Sequence, residues 1–149
     1  MSHVADVAIK FRDIEACASA VALLGGELRR DQKTHAWYGR FLNDWQSQSA
    51  AVNRRDASTF GKCDMAIHFP GVEYEIGLCQ EADGSYTAVY DTYGSSGQRL
   101  MTLCGGMELP RLKNEYAAAV STRMLARKGF RVTRSLDAKT GEIILKARS

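Results

Sequence analysis

Turn signals alternate with apolar residues between Lys62 and Asp91, and this pattern predicts three consecutive antiparallel strands. Pro70-Gly71 suits the centre of a type II turn, because proline fixes one φ angle and glycine accepts the positive φ angle of the next position. Asp83-Gly84 suits a two-residue hairpin turn. We expect the other helices and strands of the chain to be added around this meander.

The first hairpin of the meander has one apolar face. With a two-residue turn at Pro70-Gly71, Met65 lies opposite Ile76. The same register places His68 opposite Glu73 on the other face. The residues predicted to be buried are Met65, Ile67, Phe69, Val72, Tyr74, Ile76 and Leu78.

The third strand of the meander determines what the second face of the sheet carries. A two-residue turn at Asp83-Gly84 adds Val89 to the buried face. It then places Tyr86 and Tyr90 among acidic residues on the opposite face. Such a face would be partly apolar, and we expect another segment or another molecule to cover it.

The residues before the meander predict a strand followed by a helix. Val4 to Phe11 alternates between apolar and other side chains, which is typical of a half-buried strand. Asp13 offers an N-cap oxygen for a helix whose apolar stripe continues to Leu24. Gly25-Gly26 ends that helix, because glycine accepts the left-handed conformation without steric cost.

The C-terminal third predicts one long helix and a closing hairpin. The helix begins at Leu109-Pro110, since proline suits the first helical turn, and its apolar residues recur every four positions up to Met124. Arg127-Lys128-Gly129 ends the helix with cations at its negative end. Phe130–Val132 and Ile143–Leu145 then pair as a hairpin.

Two shorter patterns predict additional strands, at Thr34 to Tyr38 and at Arg99 to Cys104. Residues 39–61 are rich in serine, glutamine, asparagine, aspartate and arginine, which predicts a long polar insertion. Gly94-Ser95-Ser96-Gly97 lacks the strand-to-helix context of a phosphate-binding loop and is interpreted as a turn.

Together these elements predict a single α+β domain over residues 1–149. We expect a mainly antiparallel twisted sheet with two principal helices on one face, in the order β-α-β-β-β-β-α-β-β. The apolar content of 45% and charged content of 25% are typical of a globular chain. No apolar run approaches the roughly 20 residues of a membrane span, and no signal pattern opens the chain, so we expect a cytoplasmic protein.

Several short motifs, taken in order, resemble those of a known family. Tyr74-Glu75-Ile76-Gly77 is similar to its Tyr-Asp-Ile-Gly signature, with glutamate in place of aspartate. Further similar segments are Met1-Ser2-His3, Asp83-Gly84-x-Tyr86, Val89-Tyr90-Asp91, the Tyr116 helix and Gly129-Phe130. They resemble the uncharacterised Ycf thirty-five-like family, first met as a chloroplast open reading frame. The resemblance implies a compact α+β domain and supplies no activity or site residue.

The net charge of +3 is distributed unevenly along the chain. Residues 1–107 carry 10 Lys or Arg and 13 Asp or Glu, whereas residues 108–149 carry 10 and 4. Clustered cations can contact phosphate groups, so nucleic-acid binding through the basic end of the last helix is one hypothesis. The candidate residues are Arg123, Arg127, Lys128, Arg131 and Arg134, with Arg54 and Arg55 as additions.

Residues that could act chemically form no motif that indicates a reaction. The four cysteines, Cys17, Cys63, Cys79 and Cys104, include no Cys-x-x-Cys pair, which favours free thiols. His3, His35 and His68 lack metal-ligand spacing. Strand alternation also places Cys63 and His68 on opposite faces. A thiol or metal-dependent enzyme around Cys63 and Cys79 is therefore the least favoured hypothesis, and we expect no cofactor and no metal.

The favoured hypothesis is a small non-catalytic interaction domain that binds a protein partner. Tyrosines and acids on the second sheet face, or aromatic residues in the insertion, would form the binding surface. The candidate residues are Phe41, Trp45, Glu73, Glu75, Tyr86 and Tyr90.

Overall fold

The computed structural model of the protein describes residues 4–37 and 61–149. Over these ranges the chain forms β1 (Val4–Phe11), α1 (Ile14–Leu23), β2 (Glu27–Arg29), β3 (Met65–His68), β4 (Ile76–Gln80), β5 (Tyr86–Asp91), α2 (Gly94–Cys104), α3 (Pro110–Arg127), β6 (Arg131–Leu136) and β7 (Ile143–Arg148). Most of the predicted insertion, with Phe41, Trp45, Arg54 and Arg55, lies outside the described residues. So does the Met1-Ser2-His3 segment.

Five of the strands form one antiparallel sheet in the spatial order β1-β5-β4-β3-β2. Side chains from α1, α2 and α3 pack with one face of this sheet to form the core. Strands β6 and β7 form a separate two-stranded sheet beside α3, which we call the hairpin. The predicted α+β class with an antiparallel sheet is therefore confirmed, with one helix more than expected in the described ranges. None of the helices seen in these ranges is long and apolar enough to cross a membrane.

The first hairpin of the meander has the predicted faces but a different register. All seven residues predicted to be buried are buried. Gly71 has a φ of 78°, and the Val72 amide donates to the Phe69 carbonyl oxygen at 3.1 Å, so the turn at Pro70-Gly71 is confirmed. Met65 pairs with Leu78 rather than with Ile76, because residues 69–75 form a longer connection. A shift of two residues leaves every side chain on its predicted face.

The third strand of the meander has the opposite orientation to the prediction. The connection from β4 to β5 takes the five residues 81–85 and is closed by the Glu81 amide, which donates to the Ser85 carbonyl oxygen at 2.7 Å. Leu78 therefore pairs with Ala88 and not with Val89. A shift of one residue moves each side chain to the other face, so the placement of Tyr86 and Tyr90 on the acidic face is wrong.

Tyr90 lies instead in the core, on the face covered by the helices. Its side chain is fully buried, and its hydroxyl donates to the Met107 carbonyl oxygen at 2.7 Å. Val89 takes the opposite face, where it packs with Trp37 and Cys79 in a smaller apolar cluster.

Both of the predicted short strands are wrong, and so is the turn at Gly94–Gly97, which instead begins a helix after β5. Arg99 to Cys104 belongs to α2, in which Leu100 and Cys104 lie one turn apart and are both fully buried. Gly97 permits this helix, because a Cβ atom at that position would lie 2.2 Å from the Thr92 carbonyl carbon. At Thr34 to Tyr38, the described residues contribute only the single bridge from Thr34 to Lys62.

The flanking helices begin and end as predicted. The Asp13 carboxylate accepts the Ala16 amide at 3.1 Å and caps α1, and Gly25 follows that helix with a φ of 88°. Helix α3 runs from Pro110 to Arg127. The pairing of β6 with β7 confirms the closing hairpin.

Tyr116 joins α3 to the junction between β1 and α1. Its hydroxyl accepts the amides of Arg12 and Asp13, each at 2.9 Å. Its ring meets the fully buried Phe11 edge-on, with ring centroids 4.7 Å apart. One side chain thus satisfies two backbone donors at the start of α1 while it contributes to the core.

We expect Tyr116→Phe to lower the free energy of unfolding by about 1–2 kcal/mol, because two amides lose their acceptor while the ring packing is kept. Urea unfolding monitored by circular dichroism measures the change. Tyr86→Phe, which removes a hydroxyl from a partly buried tyrosine packed against the same core, is the matched control. Equal stability of the two variants would contradict the assigned role of the Tyr116 hydroxyl.

Candidate functional site

The second face of the sheet is covered within the described residues by the segment Gln32–Trp37. His35 lies directly over Gly77 of β4, where an added Cβ atom would be 2.5 Å from the imidazole Cδ2. Only glycine allows this approach, because any larger side chain would displace the ring. The segment and the sheet are therefore in close contact at this point.

Glu75 is the charged centre of this contact. It is only 7% exposed, and its Oε1 accepts the Gln32 side-chain amide at 2.7 Å and the Ala36 backbone amide at 3.0 Å. Its Oε2 lies 3.1 Å from His68 Nδ1 and 3.6 Å from Arg29 Nη1. A buried carboxylate with this many donors is well compensated for the loss of water.

The polar pair predicted between His68 and Glu73 is wrong, because the register shift brings Glu75 to His68 instead. Glu73 remains exposed. The protein-binding surface expected on this face loses three of its candidate residues, since Glu75 and Tyr90 are buried and Tyr86 packs against the core. Phe41 and Trp45, its other candidates, lie outside the described residues.

His35 is buried in the neutral form. Its side chain is 4% exposed, and Nδ1 donates to the Glu75 carbonyl oxygen at 3.2 Å. In that tautomer Nε2 carries a lone pair, and it has no hydrogen-bond partner in the part of the chain that the structure describes. Burial lowers the pKa of His35, against the smaller opposing effects of its contacts with Glu75 and of the charge on Asp91.

Three of the four cysteines, Cys17, Cys63 and Cys104, are poor candidates for a reactive thiol. Burial raises the pKa of Cys63 to about 12, and it does the same to Cys17 and Cys104. A thiol with such a pKa is almost wholly protonated at neutral pH and is a poor nucleophile. Within residues 4–37 and 61–149, no group of three or more potential ligands could hold a metal ion.

The predicted separation of Cys63 from His68 is wrong. Strand β3 begins only at Met65, after a bend at Asp64, so the alternation does not extend back to Cys63. The Cys63 side chain lies over Gly77, on the same face as His68.

Two of the five predicted nucleic-acid residues have structural partners. Arg123 Nε donates to Asp13 Oδ2 at 3.1 Å, and Arg134 donates two hydrogen bonds of 2.6 Å to the buried Glu115 carboxylate. These side chains connect elements of the fold. The other three, Arg127, Lys128 and Arg131, are exposed.

The hairpin gathers further cations on one side. Register pairs Arg131 with Arg148, Thr133 with Lys146, and Ser135 with Ile144. All six side chains are exposed, and we call them the outer face of the hairpin. The inner face carries Val132, Arg134 and Leu145 toward α3.

The sequence prediction missed Lys146 and Arg148. Their spacing of two residues in β7 matches that of Arg131 and Thr133 in β6, which is the signal that could have placed all four on one face. Between Arg127 and Ser149 there are seven Lys or Arg and two Asp or Glu, giving a net charge of +5. The hairpin and the end of α3 therefore form a basic surface.

Comparisons with protein-family models, with curated proteins and with solved structures found no match. The resemblance carried by Tyr74–Gly77 therefore stays a prediction. In the structure Tyr74–Gly77 includes Glu75 and Gly77, which both contact the Gln32–Trp37 segment.

We expect Glu75→Gln to lower the free energy of unfolding by about 1–3 kcal/mol, because the replacement keeps the shape of the side chain but removes the charge that Arg29 and His68 face. Chemical denaturation measures the loss, and amide exchange at Ala36 should become faster. The exposed Glu73→Gln makes the same chemical change nearby and should stay within about 0.5 kcal/mol of wild type. Matching losses in both variants would refute the role of Glu75.

Acidification should destabilise the protein through His35. Its folded pKa lies below the ordinary value of 6.5, so the unfolded chain binds a proton at higher pH than the folded chain. The stability that neutral His35 contributes is fully present above pH 6.5. It is lost as the pH falls toward the lowered pKa of the folded state, at up to about 1.4 kcal/mol per pH unit.

Urea unfolding of wild type and His35→Gln at about pH 7.5 and about pH 5.5 isolates this effect, since glutamine does not titrate. The stability advantage of wild type should shrink on acidification. An advantage that is constant with pH would show that His35 is not buried in its neutral form.

Proposed function

We propose that this protein is a small non-catalytic domain that binds nucleic acid through its basic hairpin. The observation that carries the proposal is the outer face, on which Arg131, Lys146 and Arg148 are exposed side by side. Phosphate contacts by such cations dominate the affinity of nucleic-acid-binding proteins. The end of α3 adds Arg127 and Lys128 to the same surface.

The distribution of charge within the fold supports this proposal. Residues 1–107 carry a net charge of −3 and residues 108–149 a net charge of +6. An anionic polymer would therefore be attracted to the C-terminal end and repelled elsewhere, which orients it on the protein.

The non-catalytic part of the proposal is supported by the chemistry of the described side chains. The raised pKa of Cys63 opposes a thiolate nucleophile, and the buried Glu75 is already occupied by protein donors. The proposal includes no cofactor, and it keeps the cytoplasmic location expected from the sequence.

A protein partner is the second candidate. Met124 of α3, Phe130 before β6 and Leu136 at the end of β6 are exposed by 51%, 37% and 60%. Large apolar side chains in such exposed positions favour contact with another protein. Binding to this partner would depend less on salt than binding to phosphates, which separates the two candidates.

The first test is salt-dependent binding of nucleic acid, measured by fluorescence anisotropy with labelled oligonucleotides. We expect binding to weaken as salt rises, and Arg131→Ala with Arg148→Ala to reduce the slope of log affinity against log salt by about two.

The matched control is the double variant Arg99→Ala with Arg111→Ala, which removes the same charge from exposed positions on α2 and α3. This control should retain the wild-type slope. The proposed function fails if wild type binds no nucleic acid at low salt, or if both double variants lose affinity equally.

A further inference from the structure

The hairpin is a two-stranded ribbon whose inner face lies toward α3. Strands β6 and β7 pair over six residues each, and the structure places no third strand beside them within residues 4–37 and 61–149. Six residues of strand span roughly 20 Å, which equals about six base pairs at 3.4 Å per pair. Two strands lie about 5 Å apart and fit within a major groove that is about 12 Å wide.

The outer face carries more than cations. Along β6 the outer face carries Arg131 and then the hydroxyl groups of Thr133 and Ser135, and the apolar Ile144 lies opposite Ser135. Hydroxyl groups can donate to or accept from base edges, arginine and lysine match the acceptors of guanine, and apolar groups contact the thymine methyl. Base edges that hydrogen-bond to hydroxyls, guanine acceptors and thymine methyl groups occur together only in the major groove of DNA.

The hairpin is held rigidly enough to present this face. Arg134 on the inner face is tied to Glu115 of α3 by two hydrogen bonds, and Glu115 is only 8% exposed. At the turn, the Asp137 carboxylate accepts the amides of Lys139 and Thr140 at 2.8 and 2.9 Å. A pre-ordered ribbon loses little conformational entropy on binding.

Two other classes of nucleic acid fit this face less well. The major groove of an RNA duplex is deep and narrow, and side chains cannot read it. Single strands are bound largely by aromatic rings on which bases stack, and none of the six residues of the outer face is aromatic.

We propose that the outer face of the hairpin enters the major groove of B-form duplex DNA and contacts base edges there through Thr133, Ser135 and Ile144. At least one of the cations Arg131, Lys146 and Arg148 contacts guanine there, and the others contact the flanking phosphates. This inference rests on the proposed nucleic-acid binding and names its substrate class.

The test compares a mixed-sequence 16-base-pair DNA duplex with the RNA duplex of the same sequence and with each single strand, at one fixed salt concentration. We expect the DNA duplex to bind at least about tenfold more tightly than the others. Replacing guanine by 7-deazaguanine removes a major-groove acceptor and should weaken binding about threefold or more. Netropsin, which occupies the minor groove, should not displace the protein.

A second comparison uses variants that keep every charge. Thr133→Ala with Ser135→Ala should reduce the preference for the DNA duplex while the salt slope stays unchanged. Thr102→Ala, at an exposed position of α2, is the control, and circular dichroism establishes that each variant is folded.

The outcomes separate the two proposals. Equal binding of DNA and RNA duplexes, or no effect of 7-deazaguanine, overturns the major-groove inference and leaves nucleic-acid binding in place. No binding of any nucleic acid at low salt overturns both.

Discussion

The position of the hairpin depends on one ion pair between Arg134 and Glu115. Glu115 is a carboxylate on the buried side of α3, and without its cation it would be an uncompensated buried charge. Tyr116, the next residue, ties the same helix to the start of α1. Helix α3 thus connects the main sheet to the hairpin. The position of the basic surface therefore depends on the position of this helix.

Much of the fold could be predicted from the sequence, because local patterns specify it. Alternation placed the buried residues of β3 and β4 correctly even though the register differed by two. The face of β5 could not be predicted in this way, since a five-residue connection in place of a two-residue turn moves Tyr90 from one face to the other. Helix α2 was missed because glycine is typical of turns. Gly97 instead lies within the helix, where it allows close contact with the Thr92 backbone.

The candidate site was harder to predict than the fold, because the sequence does not show which charged side chains form ion pairs within the fold. Arg123 and Arg134 look like their neighbours in the sequence, yet each has a carboxylate partner more than 15 residues away. Lys146 and Arg148 join Arg131 only through the register of the hairpin. Glu75 likewise lies buried at the contact with the Gln32–Trp37 segment, because residues 69–75 form a longer connection than the turn motif indicates.

The two-stranded character of the hairpin also bears on aggregation. In the described structure each of its strands has one edge whose backbone groups pair with no further strand, and such edges are templates for pairing with another molecule. Two hairpins that joined edge to edge would place the cations of both outer faces on one continuous sheet. Repulsion between these cations would oppose such joining, so neutralising this face would carry a solubility penalty as well as a loss of the proposed binding.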